Sequence, residues 1–573
     1  MPNTRLLLWG ALAAILFLNY ETWVHDYEPP PGTVVQATAP VPGAPASSAL
    51  GESVPQASTS APVPASTSTA GTPVATAASP TASTATDLDS SPGSPIHVKT
   101  DVLDVAINLK GGELDHANLL EYPLRKDAPN IPVTLLSREP PSSLYLVQSG
   151  LTGGAGEAAP THLATWQSAE KTYVLGPNAK EIRVPMTWSD GHGLNVTKTF
   201  VFTRGQYTIG LFYDVKNDSA APRKLASYAQ LLRHWDHPSR SYFDVETYSF
   251  KGPAVGYDGT KSKDLNVEND ADSKYTATIT NGWLAALQHQ FVAAIVPTAG
   301  QPYQYSLQVK GNEYLLNATG PQIEIPAGGS SQFQEELFVG PKLQSQLAPL
   351  GRNLERTVDF GILTVLAQPL FAGLNWVHKI IGNWGWSIIV VTALIKLLFY
   401  PLSQASGRSM AKMRAVGPRM KQIQESFKDD REKLGRAMMD LYKKEKINPL
   451  AGCLPMVVQI PVFISFYRVL LESVEMRQAP FLLWINDLSS RDPYFILPLL
   501  MGSAMFAQFK LNPAPPDPMQ AKIMQFMPLI MTGMMAWFPA GLVLYWLTNT
   551  VLSIAQQWRV NQVVEKESAK QRS

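Results

Sequence analysis

Hydrophobic and polar positions change rhythm several times along the chain. An apolar run from Leu6 to about Val24 follows Arg5. It is longer than the ~7–15-residue core of a signal peptide, and no small-x-small cleavage pattern follows it. Asn19, Tyr20, Glu21 and Trp23 come instead, and Tyr and Trp suit a membrane–water interface. Residues 1–28 therefore read as an uncleaved membrane anchor. Over residues 96–344 the pattern turns to period two. Residues 102–109 alternate and end at Gly111-Gly112, and residues 196–203 and 207–215 read as strands joined by a turn at Arg204-Gly205-Gln206. The spacing predicts a large antiparallel β-sandwich. Trp235, Asp236 and His237 lie together, and the simpler reading is a strand end rather than a site.

From Leu347 the period becomes helical. Leu347, Leu350, Leu354 and Val358 share a face, with Arg352, Arg356 and Asp359 between them. Leu366, Leu370, Leu374 and Trp376 continue the pattern, and Pro369 is expected to kink it. Residues 345–383 are predicted to be an amphipathic helix lying in the membrane interface, a role compatible with a plain connector. Five apolar stretches follow, at residues 384–400 (ended by Pro401), 454–471, 493–509, 523–538 and 541–555. Each is near the lower end of the ~20 residues that a bilayer core requires. With the anchor they make six spans, five of them in a C-terminal core at 384–558, followed by a tail at 559–573.

Composition changes the picture in two places. Residues 29–95 collapse to Pro, Ala, Ser, Thr, Gly and Val without a Lys or Arg. Such a stretch buries too little apolar surface to offset its ordering entropy, so it is expected to be a disordered tether. Residues 402–449 hold 12 Lys and Arg against 6 Asp and Glu. The loop at 472–492 holds only Arg477 and Arg491. The positive-inside rule then puts the basic loop and both termini in the cytoplasm, and the β domain outside. Within the basic loop, Met413, Met420, Ile423 and Phe427, then Leu434, Met438 and Leu441, recur at helical spacing around Asp429-Asp430. That predicts a helical hairpin, whose outer charges are either a solvated face or a docking surface for a ribosome, a nascent chain or lipid headgroups.

Elsewhere the bulk numbers mainly exclude. With 47 basic and 46 acidic residues there is no global field for nucleic acid. The single cysteine, Cys453, excludes an internal disulfide framework and a Cys-based zinc cluster. No Gly-Lys-Ser/Thr phosphate loop, His-Glu-x-x-His or Gly-x-Ser-x-Gly motif is present, so neither ATPase nor hydrolase chemistry has a foothold. No cofactor or metal is expected, and the protein is not read as an enzyme.

One charge stands out. Lys396 lies inside a predicted span, four residues before its end at Tyr400. A charge there is a functional hypothesis by default. A lysine ~6 Å from the interface also snorkels easily, and position alone leaves both readings open. Thr392 lies one turn before it; Gln459 starts the second core span; Asn549 and Ser553 lie at i and i+4 in the last, with Gln556 a turn further. Polar groups in hydrocarbon must pair or meet water. A wet, positively charged groove open to the cytoplasm satisfies them jointly; ordinary helix–helix hydrogen bonding is the simpler alternative. Met527 and Met531 belong to a methionine cluster around the fourth core span, suited to varied apolar partners or to plain packing.

Several stretches carry a specific resemblance: Gly382-Asn383-Trp384-Gly385-Trp386-Ser387, Tyr400-Pro401-Leu402, Asn448-Pro449-Leu450-Ala451-Gly452-Cys453-Leu454-Pro455, Arg477-Gln478-Ala479-Pro480-Phe481, Asp517-Pro518-Met519-Gln520, and Trp537-Phe538-Pro539-Ala540-Gly541-Leu542-Val543-Leu544-Tyr545. The chain resembles the YidC-type membrane protein insertases of Gram-negative bacteria, within the YidC/Oxa/Alb family. The resemblance implies a polytopic helical protein with a periplasmic β-supersandwich, inserting and helping to fold nascent integral membrane proteins in the inner membrane. It implies action alone or with the Sec translocon and its accessory subunits, and without a nucleotide. It also implies a groove arginine at the position of Lys396, so the charge is kept while the guanidinium fork is lost. Thr392 and Trp546 match substrate-contact positions, and Met527, Met531, Trp537 and Pro401 are contact or structural candidates. The tail, less basic than in some relatives, implies weaker ribosome contact. A secondary transporter, or an anchored periplasmic binding protein, are the alternative classes.

Overall fold

The structure is a computed structural model that describes residues 50–56, 95–154, 157–237, 249–257, 262–427, 430–445, 454–511 and 518–572. The expected anchor at 1–28, most of the tether at 29–95 and the segment 448–453 lie outside the described residues.

The alternating region forms two sheets, of eleven and eight strands. The strands expected around residues 196–215 are Leu194–Thr203 and Thr208–Asn217, paired antiparallel across a turn at Gly205 (φ 70°). Inward residues of that pair, such as Phe200, Phe202, Ile209, Leu211 and Tyr213, are buried between the sheets. The sequence predicts purely antiparallel pairing, and one pair departs from it: Ile96–Lys99 pairs parallel with Thr172–Val174. Several other strands lie between these two in sequence, and they supply the long crossover that a parallel pair needs. Gly111 and Gly112, at φ 85° and 55°, turn the chain after Leu103–Asn108. A Cβ on Gly111 would sit 2.3 Å from the His162 carbonyl oxygen, so this turn requires glycine. The buried Lys198 ammonium donates to the carbonyls of Gly112 (2.6 Å), Ser149 (3.1 Å) and Gly111 (3.2 Å), which holds the turn against the sheet. Trp235 to His237 follow the strand Arg223–His234, with His237 paired to Glu268 at 2.8 Å.

Composition alone leaves the tether without a fixed point, yet residues 50–56 lie on the sheet. Leu50 joins Leu144, Leu146, Leu232 and Leu315 in an apolar cluster, separate from the core between the sheets. The entropy argument holds for the average composition; a single leucine with a matching pocket departs from it locally.

Helix also begins later than expected. Between Gln344 and Leu363 the chain makes short helical turns, interrupted by left-handed residues at Gly351, Arg352 and Asn353. A continuous helix, α1, runs only over Thr364–Ile381 and passes through Pro369. Gly382 (φ 73°) ends it. The following residues explain the Gly382–Ser387 motif. Asn383 caps α2 (Trp384–Leu398) by accepting from the Trp386 N–H at 3.1 Å, while its amide faces the Phe481 carbonyl at 3.3 Å. Trp384 stacks on His378 at 4.0 Å, and Trp386 meets Phe481 edge-on.

α2 ends at Leu398, close to the expected stop at Pro401, and Pro401 itself belongs to the next helix. It occupies the first turn of α3 (Tyr400–Ala415), where its missing N–H costs nothing, and α2 and α3 meet at a 64° bend. Next come α4 (Gly417–Ser426) and α5 (Arg431–Lys444), packed as a hairpin around Val416, Met420 and Leu441. Asp430 caps α5 by accepting from Glu432 and Lys433. The bundle is completed by α6 (Leu454–Glu472), α7 (Ile496–Leu511), α8 (Pro518–Met535) and α9 (Ala540–Arg572). Among the described residues no single helix is long and apolar enough to cross a membrane; the bent pair at 384–398 and 400–409 passes that test together. The loop after α6 holds the β region: Arg477 donates to the carbonyls of Pro123 (2.9 Å) and Leu124 (3.2 Å), and Gln478 to Pro123 (3.1 Å).

Candidate functional site

Three helices converge on Lys396. It lies in the last turn of α2, where the helix dipole and the terminal carbonyls favour a cation. α9 packs beside α2, and Lys396 Nζ donates to Ser553 Oγ at 2.7 Å. The Ser553 hydroxyl donates back to the Asn549 carbonyl, also at 2.7 Å, so its lone pairs are free to face the ammonium. An ammonium carries three donors. Lys396 makes no ion pair among the described residues.

Beside it is a small cavity of about 40 Å³. Its polar walls are Lys396, Ser403, Gln459, Tyr545 and Asn549, and Ile395, Phe399 and Val462 are among its apolar ones. One water needs roughly 10–15 Å³ on this measure, so a few waters fit. α6 contributes Gln459, and α9 contributes Asn549 and Tyr545. The arrangement is a half-buried cation with room for water beside it and no carboxylate partner among the described residues. It can attract a carboxylate and lower the cost of burying a polar segment.

Other expected site residues sit at different removes. Thr392 is buried, and its hydroxyl donates to the Ile388 carbonyl of its own helix at 2.6 Å. Trp546 packs edge-on against Phe463 with centroids 4.8 Å apart, beside the cavity rather than lining it. Met527 is exposed on α8, and Met531 packs against the core. Pro401 is exposed at the bend. Trp537 lies away from this cavity and lines a larger cleft of about 540 Å³ with Arg477, Arg491 and residues 124–127. Ser403 and Tyr545 were not singled out as site residues in the sequence. Tyr545 carried a signal, four residues before Asn549 on one helix face; Ser403 had none, because only the bend of α3 brings it in.

Residues 376–567 match the family profile described as 60Kd inner membrane protein, and residues 95–372 match the YidC periplasmic domain. The membrane protein insertase YidC of Nitrosococcus oceani is 43% identical over 99% of this chain and 100% of its own length. The chain belongs to the YidC family of membrane protein insertases. Its counterpart from Pseudomonas putida strain W619 is 47% identical over 83% of this chain and 85% of that protein. A crystal structure of an active YidC insertase with its first transmembrane domain resolved aligns over 81% of this chain and 92% of that one, with 16% identity and a TM-score of 0.37. As a YidC-family protein the chain is a non-enzymatic insertase that acts on nascent membrane proteins, with a large periplasmic β domain and a C-terminal helical region. The periplasmic domain implies residence in the inner membrane.

Proposed function

We propose that Lys396 is the fixed charge of a wet groove, open to the cytoplasm, that receives a short hydrophilic segment of an incoming chain. The absence of a carboxylate partner for this ammonium among the described residues carries the reading. A structural lysine in hydrocarbon would pair or snorkel into bulk water, whereas Lys396 turns inward to the Ser553 hydroxyl beside the cavity. Acidic groups on the incoming segment are attracted to Lys396, and groove water lowers their desolvation cost. Partitioning of the adjacent apolar span, helped by the membrane potential on the acidic segment, completes transfer and empties the groove.

In this reading the helices at 384–398, 454–472, 496–511, 518–535 and 540–572 provide five spans, and the N-terminal apolar segment a sixth. Exposed apolar residues such as Leu397, Leu398, Val457, Ile460, Phe526, Leu529 and Ile530 support a lipid-facing belt on these helices. Both termini and the α4–α5 hairpin are cytoplasmic. The Sec translocon with its accessory subunits, a ribosome at the hairpin or tail, and lipid headgroups are proposed partners.

Complementation of insertase-depleted cells tests the groove. Lys396→Arg is expected to support growth and insertion of acidic-tailed substrates, Lys396→Ala to lower insertion severalfold, and Lys396→Glu to abolish it. Full insertion of such substrates by Lys396→Glu would overturn the electrostatic role.

A further inference from the structure

The strand Tyr145–Gly153 is buried along almost its whole length, on both faces. One face meets the core between the sheets. The other carries a row of polar side chains in register, Gln148 beside Gln230 and Gln230 beside Asn317, each almost fully buried. The row is internally bonded. Gln148 donates to Glu113 (2.9 Å), Gln230 to Gln148 (2.8 Å), and Asn317 to Gln230 (3.2 Å). Polar residues on an outward sheet face are ordinarily solvated. Here the residues at 50–56 help to cover them.

The contacts of that cover have the form of peptide recognition. Gln148 Nε2 reaches the Gly51 carbonyl at 3.4 Å, and Gln230 Nε2 the Ser53 carbonyl at 3.5 Å. Both read backbone and tolerate many sequences. His162 adds a fixed donor. Its backbone N–H donates to the Tyr228 oxygen at 2.9 Å, so the Tyr228 hydroxyl donates to Nδ1 at 2.7 Å. That leaves Nε2 to carry the proton and donate to the Gly51 carbonyl at 2.9 Å. Specificity lies in the pocket of Leu144, Leu146, Leu232 and Leu315, which takes the Leu50 side chain. Leu50 and Leu88 are the only leucines in residues 29–95. The Ser53 N–H closes a turn onto the Leu50 carbonyl at 3.1 Å.

We propose that the outer face of the eleven-stranded sheet is a peptide-binding site for a leucine-led turn, which residues 50–56 occupy in cis as a releasable strap. Its grip includes the Leu50 side chain and the His162 bond at 2.9 Å, while the bonds from Gln148 and Gln230 are long. Such a grip suits exchange rather than permanent closure. Release of the strap opens the site to another segment of the same chemistry.

Fluorescence anisotropy with a labelled peptide of residues 48–57 tests this on the full chain in detergent. The Leu50→Asp chain, with its strap evicted, is expected to bind the peptide at least tenfold more tightly than the wild-type chain, where the cis segment competes at high effective concentration. Adding His162→Ala to the Leu50→Asp chain is expected to weaken binding severalfold, and a peptide carrying Leu50→Asp to show none. Leu50→Ala serves as the evicting variant if Leu50→Asp does not fold. Failure of the evicted chain to bind, or equal binding by evicted and wild-type chains, overturns the proposal.

Discussion

At the scale of single residues, buried titratable groups make stability depend on pH. Burial pushes His162 down to about 4, and His289 likewise to about 4, the latter helped by Lys342 and Lys251 nearby. Between the ordinary histidine value near 6.5 and about 4 the unfolded chain takes up a proton that the folded chain refuses. The stabilisation is full above pH 6.5 and is lost as the pH falls toward 4. At 1.36 kcal/mol per unit, a fully buried His162 accounts for about 3 kcal/mol. Glu335 acts in the opposite sense. Burial raises it to about 7, so its contribution is present below the ordinary carboxylate range and is lost as the pH rises through 7. The prediction is therefore differential. His162→Gln, which keeps a donor toward Gly51, is expected to narrow the drop in melting temperature between pH 7 and pH 4.5 by several degrees, read by tryptophan fluorescence. An unchanged drop would assign the acid sensitivity elsewhere.

At the scale of elements, the Gly382–Ser387 motif shows what the sequence makes legible and what it withholds. The turn from α1 into α2 was readable from Gly382 and Asn383, a C-terminal glycine followed by a capping residue. The role of Gly385 was not. A Cβ there would sit 2.0 Å from the Phe481 ring, a residue far along the chain. Gly385→Ala is expected to cost about 1–3 kcal/mol by overpacking, seen as a lower midpoint in thermal unfolding. Phe481→Leu in the same chain should recover part of it. Period two in the β region and period 3.6 in the hairpin were legible because local burial dictates them. The late start of α1 was not, because the left-handed Gly351, Arg352 and Asn353 interrupt a spacing that continues on paper. Lys396, Gln459, Asn549 and Ser553 stood out as polar residues in apolar runs. Their convergence needed the packing of α2, α6 and α9. The strap escaped notice because one leucine vanishes in the average of its surroundings.

At the scale of the whole molecule, a shared apolar core and several polar contacts tie the β region to the bundle. Arg477 binds two carbonyls at the end of the strand Glu113–Arg125 and lies over the Phe291 ring at 5.5 Å. Arg477→Ala is expected to uncouple the two parts. Limited proteolysis should then release a β fragment severalfold faster than from the wild-type chain, while secondary structure by circular dichroism stays unchanged. Arg477→Lys, which keeps the charge but not the fork, is expected to fall between them. Equal cleavage rates in all three chains would assign the attachment to the remaining contacts, such as Ser249 on Glu472 at 3.1 Å and Gln290 on the Leu471 carbonyl at 3.4 Å.

The bend between α2 and α3 has a consequence of a different kind. Lys396 lies in the last turn of α2, just before the bend, at the end of the helix dipole that favours a cation. Under the proposed function, Lys396 works in chemical terms like the fixed positive group on a bead of anion-exchange resin, taking whichever negative group arrives. Loading then depends on the small anions competing for the same bead. Cargo with acidic ends should lose ground as chloride or sulfate rises, and cargo without charge should not notice.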